Sequence, residues 1–124
     1  MAHARLAFMK LIVTNLPRAK EFYETAFGFA QTNAFDTPDF EEAMLKQPDN
    51  EFLLLLLSYK DARPLADASA HGPTGFACTD LEASVAKALN AGATLTLAPK
   101  DVGPTRVAFV TDPDGHEIEL IQFV

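Results

Sequence analysis

The chain has 124 residues, a length typical of one domain that can bury a hydrophobic core without disulfides or a structural metal. Its composition, 48% hydrophobic and 22% charged, is ordinary for a globular protein, and its formal net charge of −7 disfavours nucleic acid and anionic membrane surfaces as partners. The single cysteine, Cys78, excludes an intramolecular disulfide and a cysteine-based zinc cluster.

The first half of the chain predicts one strand, one helix and three further strands. The first strand covers residues 5–13, and a helix follows with Asn15 as its N-cap and Pro17 in its first turn. Gly28 ends this helix. Residues 29–46 predict two short strands separated near residues 36–39, and a turn at residues 47–50 precedes the most apolar strand, at residues 52–59. That run is too short to span a bilayer, and the N-terminus lacks the apolar region of a signal peptide, so we expect a cytoplasmic protein.

The second half repeats this order after a loop at residues 60–73. A strand is predicted at residues 74–79, with Thr79 or Asp80 as the N-cap of the second helix. The apolar stripe of that helix consists of Leu81, Val85, Ala88 and Leu89. Residues 94–98 and 105–111 predict two strands, and the final strand follows a turn at residues 112–115.

The final strand contains an acid among hydrophobic neighbours. A period of two places Glu117, Glu119, Ile121 and Phe123 on one face of the strand, and Ile118 on the other. A carboxylate in such a place lies either at a solvated face or in a site, so Glu119 is the first candidate functional residue.

The chain contains an internal repeat. A shift of 65 residues superposes Asn15 on Asp80 and Pro48 on Pro113. The spacing predicts two βαβββ units of about 60 residues each, joined by a linker. Module 1 covers about residues 1–60, the linker residues 61–72 and module 2 about residues 73–124, within a single domain at 1–124.

Several motifs together resemble one protein family. They are VTNL at residues 13–16 with Arg18, the aromatic pairs around Phe22 and Phe27, residues 76–81, and the sequence FVTDPDGHEIELIQF at residues 109–123. With them the chain resembles the vicinal oxygen chelate (VOC) superfamily of lactoylglutathione lyases, extradiol dioxygenases, methylmalonyl-CoA epimerases, and bleomycin and fosfomycin resistance proteins. The resemblance implies an α+β fold in which two βαβββ modules form a cupped mixed β-sheet that holds the ligand, commonly in a homodimer. The scaffold hosts several unrelated chemistries, so the resemblance does not identify the reaction.

The resemblance also implies where a metal ion would bind. In metal-dependent members, four inward-facing side chains hold a divalent cation, one from the first and one from the last strand of each module. Only Glu119, in the last strand of module 2, is a suitable donor. The other three positions fall on Phe8, on Leu54 (or on Leu56 if the strand is slid by two), and on Pro73.

One carboxylate does not hold a catalytic divalent ion, so we predict no resident metal cofactor. If Zn, Ni, Mn or Fe is bound, Glu119 and His71 are the candidate ligands. We expect His116, which follows the turn glycine, to be a solvent-facing turn residue.

The predicted ligand site is therefore largely apolar. Lactoylglutathione lyases hold glutathione carboxylates with an arginine four residues beyond the first metal ligand, and this position is Ile12 here. Lys10 shares that strand face and is either an anion contact or a lysine at the rim. Beside Glu119 as candidate catalytic residue, the predicted ligand-binding residues are Phe8, Lys10, Ile12, Leu54, Leu56, Phe109 and Ile121.

Three hypotheses follow. The leading one is a metal-free small-molecule binding protein of the glyoxalase/bleomycin-resistance type that holds an apolar or cationic organic ligand and forms a homodimer. The alternative is a glyoxalase-like lyase, isomerase or dioxygenase in which Glu119 acts as base or metal ligand. The third is a chain kept for its dimer interface, with side chains filling the cup.

Overall fold

The computed structural model of the chain describes residues 4–123. Its elements are β1 (Phe8–Ile12), α1 (Leu16–Phe27), β2 (Ala30–Asp36), β3 (Phe40–Lys46), β4 (Leu53–Tyr59), β5 (Thr74–Ala77), α2 (Leu81–Asn90), β6 (Thr94–Val102), β7 (Thr105–Thr111) and β8 (Glu117–Phe123). The predicted α+β class with two βαβββ modules is confirmed. The chain divides into two compact units between Arg63 and Pro64, a point inside the predicted linker. Within residues 4–123, neither helix has the length and apolar character needed to cross a membrane.

Module 1 is a four-stranded mixed sheet covered on one face by α1. Its strand order is β1-β4-β3-β2, with β1 parallel to β4 and the other neighbours antiparallel. We call the face packed by the helix the helix face and the opposite one the far face. The helix face and α1 together bury the apolar core of this module. This core consists of Leu11, Ala43, Leu45, Leu54 and Leu56 from the strands, Val13 just after β1, and Ala19, Phe22, Tyr23 and Ala26 from α1.

Both predicted ends of α1 are confirmed. The Asn15 side chain accepts a hydrogen bond from the backbone N–H of Arg18 at 3.1 Å, which satisfies one of the free donors at the start of the helix. Gly28 ends the helix with φ 71°, a left-handed conformation that favours glycine. Asn15 and Gly28 therefore set the two ends of α1.

Module 2 repeats the same arrangement. Its strand order is β5-β8-β7-β6, with β5 parallel to β8, and α2 begins at an Asp80 N-cap whose side chain accepts from Ala83 N at 3.1 Å. The helix face carries residues that are fully buried, namely Ala108, Val110, Ile118 and Leu120. The far face carries Glu117, Glu119, Ile121 and Phe123 of β8, as the period of two predicts.

Strand β6 is longer than the sequence predicts. It continues past Pro99 to Val102 and turns at Gly103, which has φ 56°. Proline interrupts most strands because it lacks a backbone donor. Here β6 is the outer strand of its sheet, and its register with β7 shifts between Leu97 and Lys100, so Pro99 falls within an irregularity of the ladder.

Candidate functional site

The leucines of β4 lie on the opposite faces from those expected. Leu54 pairs in register with Met9 and Leu56 with Leu11, on the helix face, where the two leucines are 3% and 0% exposed. The prediction that Leu54 and Leu56 share a ligand-facing surface with Phe8 is therefore wrong. The position assigned on β4 is one residue off, and a slip of one residue moves every side chain of a strand to the other face.

The far face of β4 consists of Leu53, Leu55 and Leu57. These residues pair with Phe8, Lys10 and Ile12 of β1, so the predicted first-strand residues do share one surface. All five residues from position 53 to position 57 are leucine, and no choice of register supplies a metal donor. The same holds at the start of module 2, because the far-face residues of β5 are Gly75 and Ala77.

These residue types do not fit the four-ligand metal site that the family resemblance implies. Phenylalanine, leucine and glycine have no donor side chain, and a lysine ammonium has no lone pair to offer. Within the described range, 4–123, no group of three or more His, Cys, Asp and Glu side chains is placed to hold a metal ion.

The far face of module 1 contains a buried ion pair that the sequence analysis missed. Glu42 is only 5% exposed, and its Oε2 atom lies 2.9 Å from Lys10 Nζ. Within residues 4–123 this ion pair is the only polar contact of that fully buried oxygen. In the ladder, Glu42 stands beside Leu57 and Phe35, so the pair is set in an apolar surface.

A sequence signal for Glu42 was present. Glu42 alternates with Phe40 and Met44 on β3, which is the same pattern of a mid-strand acid between apolar residues that singled out Glu119. The neighbouring Glu41 made this signal ambiguous. Two adjacent acids point to opposite faces of a strand, and the sequence does not say which face is covered. Lys10 thus forms an ion pair with Glu42. The sequence analysis considered Lys10 as a ligand contact or as a lysine at the rim, and did not predict this intramolecular pair.

Glu119 lies at the centre of the far face of module 2. It stands between Gly75 of β5 and Phe109 of β7 in the ladder, and Ile121 lies two residues along the same face. Glu119 is half-buried, and its carboxylate forms no hydrogen bond or ion pair with any residue from 4 to 123. A carboxylate beside an aromatic ring and a glycine is free to meet a cationic group or to accept a proton.

The turn between β7 and β8 is built around Asp112. This side chain is 4% exposed, and its Oδ1 atom accepts from the backbone N–H groups of Asp114 and His116, both at 2.9 Å. Its Oδ2 atom lies 2.8 Å from Nδ1 of His116, whose ring is itself only 3% exposed. The expectation that His116 faces solvent is wrong, because the carboxylate draws the imidazole inward and holds it.

His71, the other candidate metal ligand, stays outside the sheet. It lies in the loop before β5, is exposed, and its ring stacks on that of His116 with 5.6 Å between ring centroids. Its Nδ1 atom contacts the carbonyl oxygen of Gly72 at 2.6 Å. Strand β5 begins only at Thr74, so His71 does not join the row that contains Gly75 and Glu119.

Comparisons with known proteins agree on the family. Residues 3–120 match the Glyoxalase/Bleomycin resistance protein/Dioxygenase superfamily. A probable lactoylglutathione lyase of Vibrio cholerae is 29% identical over 128 residues, covering 98% of this chain and 93% of that protein. The lactoylglutathione lyase of Escherichia coli O157:H7 is 28% identical over 126 residues, covering 95% of this chain and 92% of that protein.

Solved structures show the same fold. A glyoxalase family protein from Bacillus cereus superposes with a TM-score of 0.85 at 18% identity, covering 100% of this chain and 97% of that one. Glyoxalase I from Zea mays superposes with a TM-score of 0.83 at 26% identity, covering 95% of this chain. The chain spans only 44% of the maize protein.

Proposed function

This chain belongs to the Glyoxalase/Bleomycin resistance protein/Dioxygenase superfamily, and from that premise we propose that it binds a small organic molecule without a resident divalent metal ion. The observation that carries the proposal is the composition of the two far faces. Hydrocarbon side chains or glycine occupy the positions where the resemblance calls for donors on β1, β4 and β5. Glu119 alone remains, and one carboxylate is too few for a catalytic ion.

The chemistry of the far faces supports a ligand with an apolar body and a positive group. On module 2, Phe109 and Ile121 supply apolar area around Glu119, whose carboxylate has no partner within residues 4–123. On module 1, the only far-face carboxylate of β3 is already neutralised by Lys10. Glu119 is therefore the anchor for a cation, because an unpaired carboxylate on an apolar surface gains most from a charged partner.

The proposal is tested by metal analysis and by binding. Purified protein should contain far less than one equivalent of Ni, Zn, Mn or Fe, and adding these ions should not raise its melting temperature. In native mass spectrometry, benzyltrimethylammonium should bind more tightly than the neutral neopentylbenzene of the same shape. Glu119→Gln should abolish that preference, whereas Glu21→Gln, which changes an exposed acid on α1, should leave it intact.

Stoichiometric metal that is lost in Glu119→Gln would overturn the proposal. So would equal binding of the charged and neutral probes by the wild-type protein, because Glu119 would then contribute nothing to recognition.

The second candidate function is an enzyme of the lyase, isomerase or dioxygenase type. Two observations favour it: the curated relatives are named lactoylglutathione lyase, and the Glu119 carboxylate is available as a base. In this case Glu119→Gln should abolish turnover while the fold stays intact by circular dichroism. Absence of activity toward hydroxyacyl-thiol, epimerase and catechol substrates, with and without added metals, would exclude it.

A homodimer remains part of the proposal. All seven residues of the outer strand β2 are exposed, and an uncovered strand edge favours pairing with a second chain. Light scattering at micromolar concentration should give twice the monomer mass, and a monomer mass would contradict the proposal. Location in the cytoplasm stays a prediction.

A further inference from the structure

A groove of 390 Å³ opens on module 1 between the start of α1 and the outer strands of its sheet. One wall is the start of α1, with Leu16, Pro17 and Lys20, and the other wall is formed by β2 and β3. This volume lies within the range of pockets that hold small organic ligands, roughly 300–1,000 Å³.

The groove exists because two small residues face each other across β2 and β3. Ala34 and Ala43 are directly paired in the ladder, and both line the groove. Helix α1 packs over β3 and β4, so the outer strand β2 extends beyond it. Larger side chains at the two alanine positions would fill this space, and the methyl groups instead leave an apolar floor.

The charges around the groove leave one of each sign without a partner. Of the charged residues in its lining, Asp36 is paired with Lys60, and Glu42 is paired with Lys10. The remaining two, Lys20 and Glu41, form no ion pair with any other residue in the range 4–123. A ligand that complements this lining carries both a positive and a negative group.

We propose that this groove binds a small zwitterion with an apolar body, of which an apolar α-amino acid is the simplest example. Glu41 receives the ammonium group and Lys20 the carboxylate, since each then gains a charged hydrogen-bond partner. The apolar side chain of the ligand lies on Leu16, Pro17 and the alanine floor. The site does not depend on the metal-free binding proposed above, because all its lining residues belong to module 1, whereas Glu119 belongs to module 2.

Three matched probes test the charge requirement. L-phenylalanine carries both groups, 2-phenylethylamine carries only the ammonium, and 3-phenylpropionate carries only the carboxylate. By isothermal titration calorimetry we expect L-phenylalanine to bind at least tenfold more tightly than either analogue, since each lost charged hydrogen bond lowers affinity by about a factor of ten. Equal affinity for the three probes, or no binding of L-phenylalanine, would overturn the proposal.

Two variants assign the charged groups. Glu41→Gln should weaken L-phenylalanine and 2-phenylethylamine about tenfold and leave 3-phenylpropionate unchanged. Lys20→Gln should weaken L-phenylalanine and 3-phenylpropionate and leave 2-phenylethylamine unchanged. A variant that weakened all three probes alike would contradict the assignment.

Two further variants locate the site. Ala34→Leu should fill the groove and abolish binding, and Ala34 is exposed, so the fold tolerates the larger side chain. Ala30→Leu is the matched control, because Ala30 is exposed on the same strand but pairs with Lys46 on the far face. Equal losses in both variants would place binding elsewhere. Glu119→Gln should leave the groove's affinity unchanged, which separates a failure here from a failure of the proposed function.

Discussion

The two modules share a strand order and a helix start, but they hold the acid of the far face differently. In module 1, the first and last strands pair Lys10 with Leu55. At the corresponding position of module 2, the first and last strands pair Gly75 with Glu119. Module 1 thus provides a cation on its first strand, which neutralises the buried Glu42. Module 2 has no side chain there, and Glu119 remains without a partner among residues 4–123.

The comparison shows what a repeated backbone does and does not repeat. The helix N-cap, the strand order and the buried helix face recur, and the last two form the core of each module. The far-face residues lie outside the layer between helix and sheet, and their chemistry differs between the modules. The turn before the last strand differs as well, since Asp112 and His116 are buried, whereas the module 1 turn at residues 47–50 is largely exposed.

The largest expected effect is at this turn. Asp112→Ala removes the acceptor for two backbone N–H groups and for the His116 ring, which leaves buried donors unpaired. We expect the free energy of unfolding to fall by about 3 kcal/mol in urea denaturation. Asn50→Ala, in the module 1 turn, removes one acceptor for Phe52 N–H and should lower it by about 1 kcal/mol or less. Equal losses would show that the two turns are energetically alike.

The next effect is at the buried ion pair. Lys10→Met leaves the Glu42 carboxylate without its partner in an apolar surface, and we expect a loss of about 2 kcal/mol. This is below the usual cost of breaking a fully buried pair, because the Lys10 side chain is 42% exposed. The double variant Lys10→Met/Glu42→Leu should recover most of the loss. A neutral single variant would mean that the pair contributes nothing to stability.

A smaller effect should follow from giving module 2 the cation that it lacks. Gly75→Lys places a lysine beside Glu119, and a Cβ atom at Gly75 meets no other atom within 4 Å. We expect a gain of about 1 kcal/mol, from lower chain flexibility and a weak ion pair, and loss of binding of cationic probes. Gly75→Ala should give part of the stability gain and keep the binding. Unchanged binding in Gly75→Lys would argue against Glu119 as the anchor.

The smallest expected effect is in acid and concerns one carboxylate from each unit. Side-chain and backbone hydrogen bonds from Arg63 lower the pKa of Asp61, and the N–H and hydroxyl of Ser69 lower the pKa of Asp67. A lowered folded-state pKa stabilises the fold above the unfolded value near 3.8, and this stabilisation is lost as the pH falls through the folded pKa. The melting temperatures of Asp61→Asn and Asp67→Asn should therefore decrease less steeply than that of the wild type as the pH is lowered below about 4. If the melting temperatures of the variants and the wild type changed in parallel with pH, neither carboxylate would contribute to acid sensitivity.

The candidate site was predictable only in part. The alternation of β8 placed Glu119, Ile121 and Phe123 on one face, and Phe109 lies beside them in the ladder. The five leucines of β4 gave no such alternation, so the register, and with it the faces of Leu54 and Leu56, was left to the pairing with β1. Lys10 and Glu42 are 32 positions apart (42 minus 10), and only strand pairing brings them together.

The sequence by itself determined the order of elements, the capping residues Asn15 and Gly28, the choice between Thr79 and Asp80 for the second helix, and the two-module repeat. These features depend on interactions within a few residues, or on periodicity along one element, and both can be read from the chain. Tertiary structure decided the register of the leucine strand, the contact of Lys10 with Glu42, the inward position of His116 and the groove above Ala34 and Ala43. Each of these depends on which distant residues become neighbours, because burial and charge neutralisation arise only after the strands have paired.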